Sequence, residues 1–288
     1  MGLQSYMLNT KQAPVVIVGM HRSGTSMTTR LLRDIGYNIG IKRDENDESL
    51  FFWKINDWLF RQLNCTWDRV DNFQYLDDVT KVRLTEVLEK KLQGLSIIEY
   101  FGAVQYLKGT NFKTEEKWAW KDPKNTFTLE LWERVFPNLK VIHIYREPID
   151  VALSLQKRAS ERIINFKQNN NVKLKEKLSK GKVQYCDSFR CLNLIEGIKL
   201  WEDYVSKSLR NENALHLKYE EIVTEPTKGI DSIAQYLGET VPTQVSDLIG
   251  ASLDKSRVRA FRNKNIDPMV LDYVRKSDLI KSLGYEYD

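Results

Sequence analysis

The chain has 288 residues, 42% of them hydrophobic and 29% charged, with a formal net charge of +5. That length can bury roughly three quarters of its extended surface, so one large α/β domain or two small ones fit and no disulfide staple is needed. Cys65, Cys186 and Cys191 are widely spaced and form no paired C-x-x-C pattern, which excludes a zinc or dithiol motif and points to a reducing compartment. No apolar run approaches the roughly 20 residues that cross a bilayer. The N-terminus carries no basic-then-apolar leader, and Tyr6 stands where a myristoylation signal wants Ser or Thr, so a cytoplasmic location is expected.

In chain order, the first element is an apolar β run at 14–19, Pro-Val-Val-Ile-Val-Gly, which empties into Met-His-Arg-Ser-Gly-Thr-Ser and a helix over 25–36. The interval from Gly19 to Gly24, followed by Thr25 and Ser26, has the spacing of a Walker-type loop, whose backbone N–H groups and helix N-terminus cradle phosphate. A kinase would carry Lys where Thr25 stands; here the cation is Arg22, two residues before the second glycine. Helices over about 50–63 and 76–93 follow, the second with apolar Val79, Val82, Leu84, Val87, Leu88 and Leu92 at spacings of three and four. Strands are expected at 95–99, 117–121, 139–145 and 214–218, and helices at 126–136, 148–160 and 188–210. This alternation predicts an α/β, three-layer fold with a central, mostly parallel sheet, a P-loop and helices on both faces.

From Lys157 to Lys182 the chain carries nine Lys/Arg against Glu161 and Glu176, next to the low-complexity stretch Gln168–Asn171. The segment reads equally as a solvated basic loop or as the route of an anionic ligand, and it predicts a mobile lysine-rich insertion at 160–187, a candidate for a lid or a substrate loop. Aromatic residues are not interleaved with these charges, so nucleic acid is not the expected partner. No linker divides the chain, and a single domain over 1–288 is expected. Nothing in the sequence declares an oligomeric state.

The second informative stretch runs Leu139-Lys-Val-Ile-His-Ile-Tyr-Arg-Glu-Pro-Ile-Asp-Val-Ala-Leu-Ser154. A buried strand ends at Arg146, Pro148 opens a helix, and Ser154 lies about two turns in. Ligands of open parallel sheets bind beyond the carboxyl ends of the strands, so Arg146 and the loop at Arg22 share one rim. Taken singly, Arg146 reads as a salt bridge to Asp150 and Ser154 as a helix-surface serine. Together with the first loop they suit a nucleotide carrying phosphates at both ends of its ribose.

The pair of motifs, Gly-Met-His-Arg-Ser-Gly-Thr-Ser and Tyr-Arg-Glu-Pro-Ile-Asp-Val-Ala-Leu-Ser, resembles the two signatures of sulfotransferases that use 3′-phosphoadenosine 5′-phosphosulfate. Trp120-Lys-Asp-Pro123, His216-Leu-Lys-Tyr-Glu-Glu-Ile-Val and the closing Ser282-Leu-Gly-Tyr are similar to elements of bacterial and Golgi-type members. The resemblance implies that Arg22 stands beside the leaving 5′-phosphate, with Ser23, Gly24, Thr25 and Ser26 supplying amides and hydroxyls. It implies that Arg146 and Ser154 hold the 3′-phosphate and that Tyr219 meets the adenine, a position that reads equally as packing. The basic C-terminal motif of cytosolic members is missing, and Arg257 and Arg259 are substitutes suggested by composition.

The acceptor's base is less explicit. His21 lies in the loop, while His143 and His216 fall within strands and read as core or rim residues. Relatives acting on sugars and tyrosine use a glutamate followed eight residues later by an asparagine, and Glu48 with Asn56 reproduces that spacing, although the family's preceding Gly-aromatic pair is replaced by Asn46-Asp47. Glu48 is therefore the expected base, against the reading of Asp44–Glu48 as a solvated acidic loop, with Asp122 and Glu99 as reserves. Lys121 either offsets charge at the reacting centre or, more simply, pairs with Asp122. No metal is required. The expected activity is sulfuryl transfer to a hydroxyl, less readily an amine, of a saccharide or other small polar metabolite, for which Trp53, Trp58 and Trp67 offer stacking faces. A P-loop kinase of a small metabolite and a catalytically silent nucleotide-binding protein are the alternatives.

Overall fold

Four short strands, each followed by a helix, build one parallel sheet in the computed structural model, which describes residues 8–179, 184–251 and 253–287. The strands are β1 (Val15–Val18), β2 (Ala119–Lys121), β3 (Lys140–Tyr145) and β4 (Leu215–Lys218), in the order β2-β1-β3-β4. All three pairings are parallel, with Val16 opposite Trp120 and Val141, and His143 opposite His216. β1 is buried along its whole length because helices cover both faces: Val16 and Val18 enter one apolar cluster, Val15 and Ile17 another. The first cluster is rich in aromatic rings, among them Phe52 stacked on Trp120 with centroids 4.4 Å apart.

The topology fixes where a ligand can sit. The chain goes from β1 outward to β2, then crosses β1 to place β3 on its other side, so the carboxyl ends of β1 and β3 flank a switch point. The loop at residues 19–24 leaves β1 there, and Arg146 follows β3 there.

Two expectations fail. Residues 95–99 are not a strand but a 3₁₀ turn, Leu95–Ile97, running into a short helix, Ile98–Phe101. The buried residues Ile97, Tyr100 and Phe101 recur at three and four while Leu95 is exposed, a helical period that a short apolar run disguises. The Tyr100 hydroxyl donates to the carbonyls of Asn38 and Ala119, at 2.6 and 2.8 Å, and so ties this helix to the sheet edge. The expected lysine-rich loop at 160–187 is also largely helical: the helix from Pro148 continues to Gln168, and another spans Asn170–Ser179. No Gly or Pro interrupts residues 149–180, so nothing in the backbone ends the helix where the change of composition suggested. Lys180, Lys182 and the N-terminal Met1–Tyr6 lie outside the described residues.

His143, fully buried, and His216, half-buried, pair across β3 and β4, with Nδ1 atoms 2.9 Å apart and His216 Nε2 3.1 Å from the Asn211 carbonyl. Burial, then its neighbour His216, pushes the His143 imidazole down to about 3. His143 is a core residue and His216 a half-buried one at the rim, the two readings their place in the strands left open.

Candidate active site

The loop after β1 is shaped by close approaches that only glycine permits. A Cβ on Gly19 would lie 2.2 Å from the Ile144 carbonyl oxygen of β3. Gly24, at φ +100°, would bring one to 2.5 Å from the Tyr219 ring, and it opens the helix Thr25–Asp34 without a side-chain cap. The first-turn N–H groups thus face outward with the positive end of the helix behind them, the arrangement that attracts an anion. Ser23 is fully buried, and its Oγ has no partner among the described residues. Arg22 itself sits at φ 71°, a strained position for a side-chain-bearing residue at the lip of the loop.

The second motif meets the first directly. Arg22 Nε donates to Ser154 Oγ at 2.8 Å, and the Arg146 guanidinium donates to the Arg22 carbonyl at 3.4 Å. Arg146 also donates to Asp150 at 3.1 Å and to the Arg257 carbonyl at 2.6 Å, while its Nε is buried without a partner. Its guanidinium lies 4.9 Å above the Tyr219 ring. Tyr219 is only 6% exposed, held between that guanidinium and Gly24. The Arg146–Asp150 salt bridge therefore exists, and the same arginine still faces the crevice.

A third group comes from the loop at residues 44–48. Ser26 Oγ donates to the Asn46 carbonyl at 2.6 Å, and Arg30 pairs with Asp47 at 2.8 Å, so the loop is pinned across the N-terminus of the helix Thr25–Asp34. This puts Glu48, 4% exposed, into the crevice rather than into solvent as a loop of acids would stand. Its partner is Lys121, at 3.1 Å and 1% exposed; the simpler pairing of Lys121 with Asp122 does not occur. Asp122 instead accepts from Asn56 Nδ2 at 3.0 Å and from the Lys124 amide at 2.9 Å. Asn56 is the centre of a buried network. Its Nδ2 also reaches Asn125 Oδ1, at 2.7 Å, and its Oδ1 accepts from Thr128 and Trp132, at 3.0 and 3.1 Å. Asn56→Ala would orphan the Trp132 donor and one face of Asp122 and leave the Thr128 hydroxyl only the Lys124 carbonyl, 3.4 Å away. It is expected to lower the stability by roughly 3 kcal/mol, read as a lower denaturant midpoint at unchanged slope.

All three groups line one cavity of about 610 Å³, which contains Arg22, Gly24, Thr25, Ser26, Glu48, Lys121, Arg146, Ser154, Tyr219 and Arg257. Of the other candidates, Ser23 lies beneath the lining, and Arg259, Asp122 and Glu99 lie outside it; Glu99 pairs with Lys54 at 2.6 Å. Trp53 sits under the Lys124 ammonium at 4.6 Å and Trp58 under that of Lys91 at 5.5 Å, so neither faces the cavity. Residues 14–243 match the model of the sulfotransferase family. The chain belongs to that family. Among solved structures, the sulfotransferase domain from the curacin biosynthetic pathway superposes with a TM-score of 0.50 at 15% identity, covering 97% of this chain and all (100%) of that one. The sulfotransferase domain of the Synechococcus PCC 7002 olefin synthase gives 0.45 at 16%, covering 97% of each chain. A mouse sulfotransferase complexed with PAP gives 0.42 at 15%, covering 96% of this chain and 89% of that one. No curated protein sequence matches the chain.

The sulfotransferase crevice is strongly electropositive: eight lysines and arginines line it against Glu45, Glu48 and Asp150. Burial and then Arg158, Arg257 and Arg146 push the Arg22 guanidinium below its ordinary value, although it keeps its charge. Burial first, then Asp122, raises the Glu48 carboxyl to about 7 against the opposing pull of Lys121. Burial followed by the field of Arg158 and Lys121 holds His21 well below 6.5, so its imidazole is neutral. Lys157 and Arg158 bring the start of the lysine-rich stretch to the cavity, and Arg158 lies 5.1 Å over Trp67. The Lys121–Glu48 pair was missed because its partners are distant in sequence and meet only through the Ser26–Asn46 contact. Gly24→Ala in this sulfotransferase would drive a methyl group into Tyr219 and force a left-handed alanine. An affinity for nucleotide at least tenfold weaker is expected in calorimetry.

Proposed function

We propose that this sulfotransferase moves a sulfuryl group from 3′-phosphoadenosine 5′-phosphosulfate to a hydroxyl of a small polar acceptor, foremost a saccharide. The observation that carries this reading is the joining of two anion-binding points, the uncapped helix at Gly24 and the Arg146–Ser154 pair, in one cavity through the Arg22 side chain. The residues fit such a donor. The buried Arg146 Nε and Ser23 Oγ want partners, and clustered guanidinium groups that repel one another want anions between them.

The donor supplies an SO₃ unit on a phosphate that leaves as charge develops on it. Arg22 and the N–H groups of Gly24, Thr25 and Ser26 would hold the 5′ end and stabilise that charge, and Arg146 with Ser154 would hold the 3′-phosphate. Tyr219 is the platform under Arg146 and borders the space for the base. Glu48 would accept the acceptor's hydroxyl proton, with Lys121 fixing the carboxylate. An acid raised to about 7 is matched to that task at neutral pH. The acceptor would enter past Lys157 and Arg158, a lining that favours polar or anionic molecules.

The test is a pair of thermal shifts. Adenosine 3′,5′-bisphosphate at about 100 times its dissociation constant should stabilise the protein by roughly 2.7 kcal/mol, a rise of several degrees. ATP with Mg²⁺, which lacks a 3′-phosphate, should give little. Stabilisation by ATP–Mg²⁺ alone would replace this reading with a kinase. A screen of metabolite extracts with radiolabelled donor, read by mass for added SO₃, then identifies the acceptor.

A further inference from the structure

We infer that Tyr287 and Tyr285, in the last residues of the chain, are positioning residues for the Arg146 subsite: through two buried carboxylates they set the affinity for the nucleotide's 3′-phosphate. The inference rests on the reading of Arg146 as the 3′-phosphate ligand. The contacts form two short chains. The Tyr287 hydroxyl donates to Glu147 Oε1 at 2.6 Å, and the Glu147 carboxylate caps the helix after β3 by accepting from the Ile149 and Asp150 amides, at 3.1 and 2.6 Å. Asp150 in turn holds the Arg146 guanidinium at 3.1 Å. The Tyr285 hydroxyl donates to Glu220 Oε2 at 3.1 Å, and Glu220 Oε1 accepts the Glu147 amide at 2.9 Å, fixing the turn from below.

A second route reaches the same aspartate. The Tyr287 ring packs on Phe261 with centroids 5.7 Å apart, and the amides of Phe261 and Ala260 donate to Asp150 at 2.8 and 3.1 Å. The segment is anchored independently: Lys218 lies 4.0 Å over the Tyr285 ring and donates to the Leu283 carbonyl at 3.0 Å, and Arg275 donates to the Tyr287 carbonyl at 3.0 Å. Tyr287 thus touches both supports of Asp150, and neither tyrosine lines the cavity. Glu147 and Glu220, 1% and 7% exposed, hold their geometry only while hydroxyl and amide donors satisfy them. Losing one donor frees the Glu147 cap to shift, and Asp150 and Arg146 shift with it.

The readout is the ratio of dissociation constants for adenosine 5′-phosphate and adenosine 3′,5′-bisphosphate, measured by calorimetry on the full chain. It isolates the 3′-phosphate contribution from the rest of the site. Tyr287→Phe, which removes one oxygen from a partly exposed ring, should lower that ratio about tenfold with the affinity for adenosine 5′-phosphate unchanged, the size of one hydrogen bond to a charged group. Tyr285→Phe, acting through Glu220, should move it in the same direction. An unchanged ratio in both variants, or an equal weakening of both nucleotides, would overturn the inference. Arg146→Ala separates the two levels. If it abolishes the discrimination while the tyrosine variants keep it, the positioning role falls and the 3′-phosphate assignment stands; if it too keeps the discrimination, both fall.

Discussion

Replacing Arg22 by alanine is expected to lower sulfuryl transfer by roughly 10²- to 10³-fold, the effect of removing one preorganised charge from a developing anion. The melting temperature of the free protein should not fall with it. Arg22 is exposed at the lip of the crevice, in the field of Arg158, Arg257 and Arg146, and among the described residues its side chain pairs with no carboxylate, only with Ser154. Its cost to the unliganded fold is repulsion and a backbone at φ 71°, so truncation relieves the first and leaves the second. Activity and stability therefore move apart, which distinguishes a site built to receive anions from a structural arginine, whose loss would reduce both. Turnover on the acceptor recovered from the extract screen, with a thermal melt of the same preparation, checks both halves.

Glu48→Gln is the second large effect. Glutamine can still accept from Lys121 at the position where the carboxylate does at 3.1 Å, so the crevice keeps its shape while the base is lost. Transfer should fall by roughly 10²- to 10⁴-fold with affinity for adenosine 3′,5′-bisphosphate retained. The pH dependence has a fixed sign. Burial and Asp122 raise the carboxyl to about 7, so below that pH it is protonated and cannot take the hydroxyl proton. In the wild type kcat/KM should climb with pH and level off above about 7, and the Gln variant should lose that limb. Lys121→Met removes the cation that lowers the Glu48 carboxyl and should move the limb to higher pH. A flat profile, or a Gln variant as active as the wild type, would exclude Glu48 as the base and return the question to the acceptor itself.

The strand–loop–helix at 14–26 and the strand–helix at 139–154 were legible because each depends on local chemistry: a continuous apolar run, a glycine where φ is positive, a proline at the first helical turn. Their sharing one rim followed from the parallel run of the strands, and the adjacency of β1 and β3 in the sheet brings them into contact. The pairing of Lys121 with Glu48 was not legible, since it depends on Ser26 holding the Asn46 carbonyl and on Asn56 drawing Asp122 away, contacts between four separate segments. The helix at Ile98–Phe101 was misread because a run this short does not show its period until burial picks out Ile97, Tyr100 and Phe101. The extension to Gln168 was misread because a change from apolar to lysine-rich composition alters which face is wet without supplying a helix stop. Tyr219 shows how one residue serves two readings: its ring packs against Gly24 as a core residue would, and that packing carries the arginine that lines the crevice.

If one crevice grips a nucleotide at both phosphates, a crystal structure with adenosine 3′,5′-bisphosphate will show both contacts. The 5′-phosphate should lie on the amides of Gly24, Thr25 and Ser26 beside Arg22, and the 3′-phosphate within hydrogen-bond distance of Arg146 and Ser154. A nucleotide bound with its 3′-phosphate in solvent, or bound outside this cavity, would contradict the account.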